Sequence, residues 1–204
     1  MNKLLPFLLL LLLGCDSKNC QKTIRETEAI NLLKDLIEQD GSNLVSDFPS
    51  SKDLPICLNL KKIIIETDCF KEPTRPAKII KPPKRSFTNQ GKICIEFFNK
   101  SRQMKSYFFS KKDSLNFINQ NECIYKLLIP KSITKNFKTV QRTKTIDITE
   151  EYIQFSFPIF SSDNTKAYLE YDHHSKNESY GYSFYLEKIN KKWKVKYFAT
   201  SWAI

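Results

Sequence analysis

The sequence predicts an α+β fold, with an N-terminal amphipathic helix and an antiparallel β-meander in the C-terminal half. Three observations predict it. Between Thr23 and Asp40, the residues Ile24, Ile30, Leu32, Leu33, Leu36 and Ile37 recur near i, i+3 and i+4, which is the period of a helix packed on one side. From Tyr152 the pattern changes to alternation. Ile153, Phe155 and Phe157 share one parity, followed by Ala167, Leu169 and Tyr171, then Tyr180, Tyr182, Phe184 and Leu186, then Trp193, Val195 and Tyr197. Short polar turns separate these runs, notably Ser161-Ser162-Asp163-Asn164 and Asn190-Lys191-Lys192. Alternation between tight turns predicts antiparallel strands with one buried face, which helices can cover. A composition of 41% hydrophobic, 13% aromatic and 27% charged residues is enough to build that core.

The elements follow in chain order. The first helix should end near Asp40-Gly41, because glycine takes the left-handed cap conformation readily. Asn43 to Pro55 reads as loop, with Pro49, Ser50, Ser51 and Pro55 favouring turns. Lys61 to Phe70 holds the β-branched run Ile63-Ile64-Ile65 and reads as a strand. Pro73, Pro76, Pro82 and Pro83 alternate with Arg75, Lys78, Lys81, Lys84 and Arg85; proline lacks a ladder donor, so residues 73–85 read as an extended basic loop or linker. A split of the domain would fall there. The same basic residues also suit a lipid- or glycan-facing patch. Lys92 to Phe98 and Met104 to Phe109 predict a hairpin across Asn99 to Gln103. Ser110-Lys111-Lys112-Asp113 resembles a capping box and opens a short helix through Leu115 and Ile118. Cys123 to Ile129 reads as an apolar strand ended by Pro130, and Lys131 to Thr145 as a loop or edge strand.

The beginning of the chain predicts processing and compartment. Met1-Asn2-Lys3 is a short basic start, Leu4 to Leu13 is almost pure leucine, and Gly14 precedes Cys15. That is the layout of a secretory signal. Ten apolar residues are too few to cross a bilayer, which takes about 20, and Asp16, Ser17, Lys18 and Asn19 follow at once. Leu12-Leu13-Gly14-Cys15 resembles the lipobox of bacterial lipoproteins, in which the cysteine sulfur is lipid-modified, with palmitate among the acyl groups, and becomes the mature N-terminus. The resemblance implies residues 1–14 as signal peptide, 15–22 as a lipidated tether and 23–204 as an envelope domain, with the membrane leaflet left open. Two or more acyl chains give stable anchoring.

Beyond residue 14 the chain carries 32 basic and 22 acidic residues, a balance of +10. A basic surface suits anionic lipid, acidic glycan or an acidic protein. Nucleic acid is not an expected partner in the cell envelope. Cys20, Cys57, Cys69, Cys94 and Cys123 remain besides Cys15, and an oxidising envelope permits disulfides. Cys57 with Cys69 and Cys94 with Cys123 are local pairings that would leave Cys20 free; buried free thiols are the alternative. Four glycines, far apart, exclude a glycine-rich phosphate loop, and no Cys-x-x-Cys occurs.

A second resemblance lies in the C-terminal strands. Phe155-Ser156-Phe157-Pro158-Ile159-Phe160-Ser161, then Gly181-Tyr182 and Leu186-Glu187-Lys188 running into Lys192-Trp193-Lys194-Val195, resemble the C-terminal sheet of uncharacterised lipoproteins from Bacteroidota. The strand with Trp193-Lys194-Val195 is also similar to the closing strands of cone-shaped NTF2-like domains. The resemblance covers about a quarter of the chain and implies a fold, without an activity.

Candidate chemistry is sparse. Asp172-His173-His174 holds both histidines of the chain and could serve as metal ligands or as acid and base. Neighbours on a strand point to opposite faces, and Ser175, Asn177 and Ser179 make the segment read as a solvated hairpin loop. Glu150-Glu151 and Glu170 with Asp172 are carboxylate pairs of the kind glycoside hydrolysis uses. Tyr168, Tyr180, Tyr182, Tyr185 and Tyr197 suit a ligand groove or, more readily, cross-strand packing. No Gly-x-Ser-x-Gly elbow occurs. The expectation is a lipid-anchored envelope protein with a non-enzymatic binding or scaffolding role and no cofactor. The rivals are an immunity or inhibitor lipoprotein that neutralises a toxin or hydrolase, and an envelope hydrolase using Asp172 or His173.

Overall fold

A computed structural model of the protein describes residues 22–39, 54–67, 90–95, 104–123, 125–126, 128–142, 150–176 and 179–203. The signal and tether, the linker at 73–85, most of the loop at 43–55 and the tip of the expected hairpin lie outside these residues. The elements are α1 (Lys22–Gln39), β1 (Ile56–Glu66), β2 (Gln90–Cys94), α2 (Asp113–Asn121), α3 (Lys131–Thr134), β3 (Thr139–Val140), β4 (Tyr152–Ser156), β5 (Ile159–Phe160), β6 (Lys166–His174), β7 (Tyr180–Ile189) and β8 (Lys192–Ala203). The class is α+β, with a helix at the N-terminus and a mostly antiparallel sheet in the C-terminal half.

The sheet runs β2-β1-β4-β6-β7-β8, with β3 beside β1 and β5 beside β6. β1 is parallel to β2, β3 and β4, while the pairings of β6 with β4, β5 and β7, and of β7 with β8, are antiparallel. No residue of β1 is exposed: its first half is mostly buried and its second half alternates between buried and half-buried residues. It also starts five residues earlier than the isoleucine run suggests, at Ile56. Its register against β4 slips: Cys57 stands opposite Gln154 but Lys61 opposite Ser156, where an even ladder would have put Asn59. The two surplus residues keep the face, because side chains alternate with period two, and carry Lys61 inward at that position. Carbonyls at the bulge find other donors, with Ile129 N donating to Leu58 O at 2.8 Å and Gln154 Nε2 to Asn59 O at 3.2 Å.

α1 contains no glycine or proline and presents Ala29, Leu32, Leu33, Leu36 and Ile37 to the sheet, where they pack with Ile153, Phe155, Leu169, Phe184, Leu186 and Trp193. Two polar contacts fix its position: Lys188 Nζ on Glu28 Oε2 at 2.6 Å, and Trp193 N donating to Asp35 Oδ2 at 2.8 Å. The second satisfies an edge amide of β8, whose exposed Lys192, Lys194 and Lys196 discourage further strand pairing. On the other sheet face Ile63, Ile65, Met104, Phe108, Phe109, Phe117, Ile159, Tyr168 and Tyr185 form a second core.

Several expectations are corrected. β2 is not half of a hairpin with 104–109; it lies parallel to β1, and residues 104–109 are irregular and pack Phe108 and Phe109 into the second core. The described part of 123–129 makes only an isolated bridge, Leu128 to Asn59, so no strand forms there. Residues 131–145 supply a short helix and the two-residue β3. The C-terminal sheet does not keep one wet face: β6 is buried on both.

Only half of the capping box expected at Ser110 forms: α2 has Lys112 as its N-cap with no side-chain cap bond, while the Asp113 carboxylate reaches back to Ser110. Asp113 Oδ2 accepts from Ser110 N at 2.9 Å and Ser110 Oγ at 2.7 Å, while Oδ1 accepts from Ser162 N and Ser162 Oγ, both at 2.8 Å. One carboxylate thus ties α2 to the turn after β5. Burial works against its charge, but these donors outweigh burial and hold its pKa below the ordinary value. Asp113→Asn keeps one oxygen and loses about 2 kcal/mol, which shows as a lower urea midpoint. The contribution of Asp113 is present above its unfolded pKa of 3.8 and is lost as pH falls through the lowered folded value.

The β7–β8 turn is set by Asn190 at φ 50° and Lys191 at φ 66°, both in the left-handed region. That is the primed two-residue hairpin, which favours glycine at its second position. Lys191→Gly is expected to raise stability by about 1 kcal/mol, read as a higher melting temperature.

Candidate functional site

The polar residues of β6 point inward. Tyr168, Glu170, Asp172 and His174 share one face, and their neighbours across the sheet place Tyr152, Gln154, Ser183 and Tyr185 beside them. From β1, Cys57 and Lys61 join the same face. Lys61 is its centre. The Lys61 Nζ stands 2.7 Å from Glu170 Oε2 and donates a second bond to Asp172 Oδ2, with only 6% of the lysine side chain exposed. Tyr168 donates to the other Glu170 oxygen at 2.9 Å, and its hydroxyl lies 2.8 Å from Ser183 Oγ. Ser156 Oγ accepts from Glu170 N at 2.8 Å. One chain of contacts therefore joins β1, β4, β6 and β7.

The electrostatics follow from burial and this pairing. Burial alone would depress the lysine, but Asp172 and then Glu170 outweigh it, and the Lys61 pKa stands above its ordinary value. The ammonium is thus held as a cation and is no nucleophile. Burial, reinforced by Glu170, raises the Tyr168 phenol far above its usual range, and pushes Tyr185 up to about 12. Both rings meet edge to face at 5.2 Å. They pack across strands in the second core, and no groove is built from them.

The two histidines diverge. His174 stacks on Tyr152 at 4.8 Å on the Lys61 face; burial, then Lys61 and His173, lower its pKa to about 4. His173 faces the opposite way, its Nε2 2.7 Å from Glu151 Oε1 and its ring 4.6 Å from Tyr180. The segment expected as a solvated turn is the buried end of β6: Asp172 and His174 face Lys61 and Tyr152 inside the sheet, and His173 is buried beneath the half-exposed Glu151. Asp172 and His173 are not brought together: the carboxylate turns to Lys61 and the imidazole to Glu151. Of the acidic pairs, Glu150 binds Arg142 at 2.9 Å and Glu151 binds His173, while Glu170 and Asp172 share Lys61. Among the described residues no group of three or more His, Cys, Asp or Glu could hold a metal ion.

Cys57 is a free, buried thiol against Tyr152, with burial raising its pKa. The expected Cys57–Cys69 pairing is therefore not formed: the thiol is enclosed in the sheet between β3 and β4. Cys94 and Cys123 are both disulfide-bonded. Cys15 lies outside the described residues. Tyr152 has a buried hydroxyl with no hydrogen-bond partner among the described residues, and the Arg142 guanidinium lies 5.3 Å from its ring centre.

Sequence reasoning missed Lys61. The signal was available: Lys61-Lys62 interrupts an apolar run from Leu58 to Ile65, and a lysine buried there needs an acidic partner. No family model, curated protein or solved structure matches the chain.

Proposed function

We propose that the protein is a lipid-anchored component of the bacterial cell envelope whose α+β domain binds or scaffolds and performs no catalysis. One observation carries the anchoring: Leu12-Leu13-Gly14-Cys15 at the end of a short leucine-rich signal. The binding role is supported by how the interior polar groups are used. Glu170 and Asp172 both hold Lys61, and His173 is engaged by Glu151, so these groups are committed to contacts within the domain. Function then belongs to the surface and to the anchor. No described helix is long and apolar enough to cross a membrane, and the lipid at Cys15 supplies the attachment in this reading.

Fractionation of producing cells tests it. The wild-type chain is expected in the membrane fraction, resistant to high salt and released by detergent. Cys15→Ala is expected to lose the mature, salt-resistant form. Release of the wild type by salt alone would replace a lipid anchor with electrostatic adhesion and overturn the proposal.

A further inference from the structure

We infer that the end of the domain around the start of α1 is a docking surface for anionic bilayer headgroups; this rests on the lipid anchor proposed at Cys15. Six residues separate Cys15 from Lys22, the first residue of α1. Fully extended, that stretch reaches at most about 25 Å. The anchored domain therefore stays close to the bilayer, with the N-terminal end of α1 nearest the lipid. A tether this short makes docking effectively intramolecular, so even a weak surface attraction populates the docked state.

The surface at that end has the chemistry such docking needs. Arg25 Nη2 donates to Asn116 Oδ1 at 2.6 Å and Arg25 Nη1 to Tyr125 Oη at 3.2 Å, while Lys126 N donates to Glu26 Oε1 at 2.7 Å. These bonds bring α2 and residues 125–126 against the first turns of α1. Two large apolar side chains stand outward there, Ile24 with 56% and Leu115 with 74% of its surface exposed. Around them Lys22, Lys111, Lys112 and Lys126 are exposed. Lys111 and Lys112 form the exposed turn that leads into α2, one turn of chain before Leu115. The acids nearby are Glu26, engaged by Lys126 N, Asp113, engaged by Ser110 and Ser162, Asp163, engaged by Ser161 and Thr165, and Glu122. Exposed apolar residues ringed by lysines fit the boundary of an anionic bilayer, where the apolar tips enter the interface and each lysine meets phosphate.

The test uses the native lipidated protein in vesicles of phosphatidylcholine with or without phosphatidylglycerol. A brief pulse of a membrane-impermeant acylating reagent is read lysine by lysine by mass spectrometry. Lys191 and Lys192 are the internal references, because Trp193 N on Asp35 places that hairpin 13 residues along α1 from Lys22. In phosphatidylglycerol vesicles Lys22, Lys111, Lys112 and Lys126 are expected to react about fivefold more slowly than in detergent, the factor given by ~1 kcal/mol per basic residue. The references should be unchanged. The protection is expected to vanish without phosphatidylglycerol and to weaken at high salt. Ile24→Ser combined with Leu115→Ser should lose it without loss of helical circular dichroism, since both side chains are exposed. Equal reactivity of all lysines in phosphatidylglycerol vesicles, or equal protection in pure phosphatidylcholine, would overturn the inference. Should the N-terminal peptide carry no lipid, the anchor fails separately. Flotation of that unlipidated chain with phosphatidylglycerol vesicles then decides the docking surface, with binding supporting it and no binding removing it.

Discussion

Lys61→Met is expected to cost the fold about 3–5 kcal/mol, because it leaves Glu170 and Asp172 buried without their cation. The methionine keeps most of the aliphatic stem, so lost packing contributes little and the effect is electrostatic. A loss of that size is a large part of the 5–15 kcal/mol that typically holds a domain folded. Urea denaturation at neutral pH measures it directly. The second arm is the combined variant Lys61→Met, Glu170→Gln and Asp172→Asn. Neutralising the whole cluster should recover more than half of the loss, since a complete buried ion network is worth little over a neutral replacement while a broken one is costly. If Lys61→Met unfolds outright, the combined variant still tests the claim. A single variant within about 0.5 kcal/mol of wild type, the usual range for surface changes, would mean that the cluster does not hold the sheet together.

The other large effect is a loss of stability in mild acid. The His174 pKa is lowered from 6.5 to about 4, chiefly by burial. Between these values the unfolded chain binds a proton that the folded protein refuses, so stability rises with pH there and falls on acidification. The full shift corresponds to about 3 kcal/mol, fully present above pH 6.5 and lost by pH 4. Below that, protonation of Asp113 adds a further loss. His174→Phe keeps an aromatic ring on Tyr152 and removes the titrating group. Melting temperatures across this pH range should fall steeply in wild type and much less in the variant. An equally steep fall in both would assign the acid sensitivity to another group.

How much of this was legible in the sequence depended on whether polarity tracked exposure. α1 was, because Leu32, Leu33 and Leu36 repeat at helical spacing and all are buried, although Ile24 of the same pattern stands outward. The turn at Asn190-Lys191 was also legible, because a tight connection needs left-handed residues and asparagine tolerates that conformation. The interior face of β6 was not. Glu170, Asp172 and His174 alternate with Leu169, Tyr171 and His173, and this pattern is identical to that of a strand with a wet face. Only a distant cation, 109 residues before Glu170 in the chain, turns it into a buried one. The bulge in β1 that places Lys61 opposite Ser156 leaves no local mark, and neither does the parallel pairing of β1 with β2. The apolar letters of Met104 to Phe109 fit a strand; here Phe108 and Phe109 are held by packing, with edge-to-face contacts at 4.9 Å to each other and from Phe109 to Phe117. Long-range packing decided these elements, and sequence periodicity does not report it.

The anchor at Cys15 is the central claim, because compartment, orientation and the docking surface all depend on it. Its most direct test is the intact mass of the mature chain recovered from membranes. The expected result is a chain that begins at Cys15 and carries a diacylglycerol-sized increment, absent from Cys15→Ala. A chain that begins elsewhere, or at an unmodified Cys15, would contradict the account.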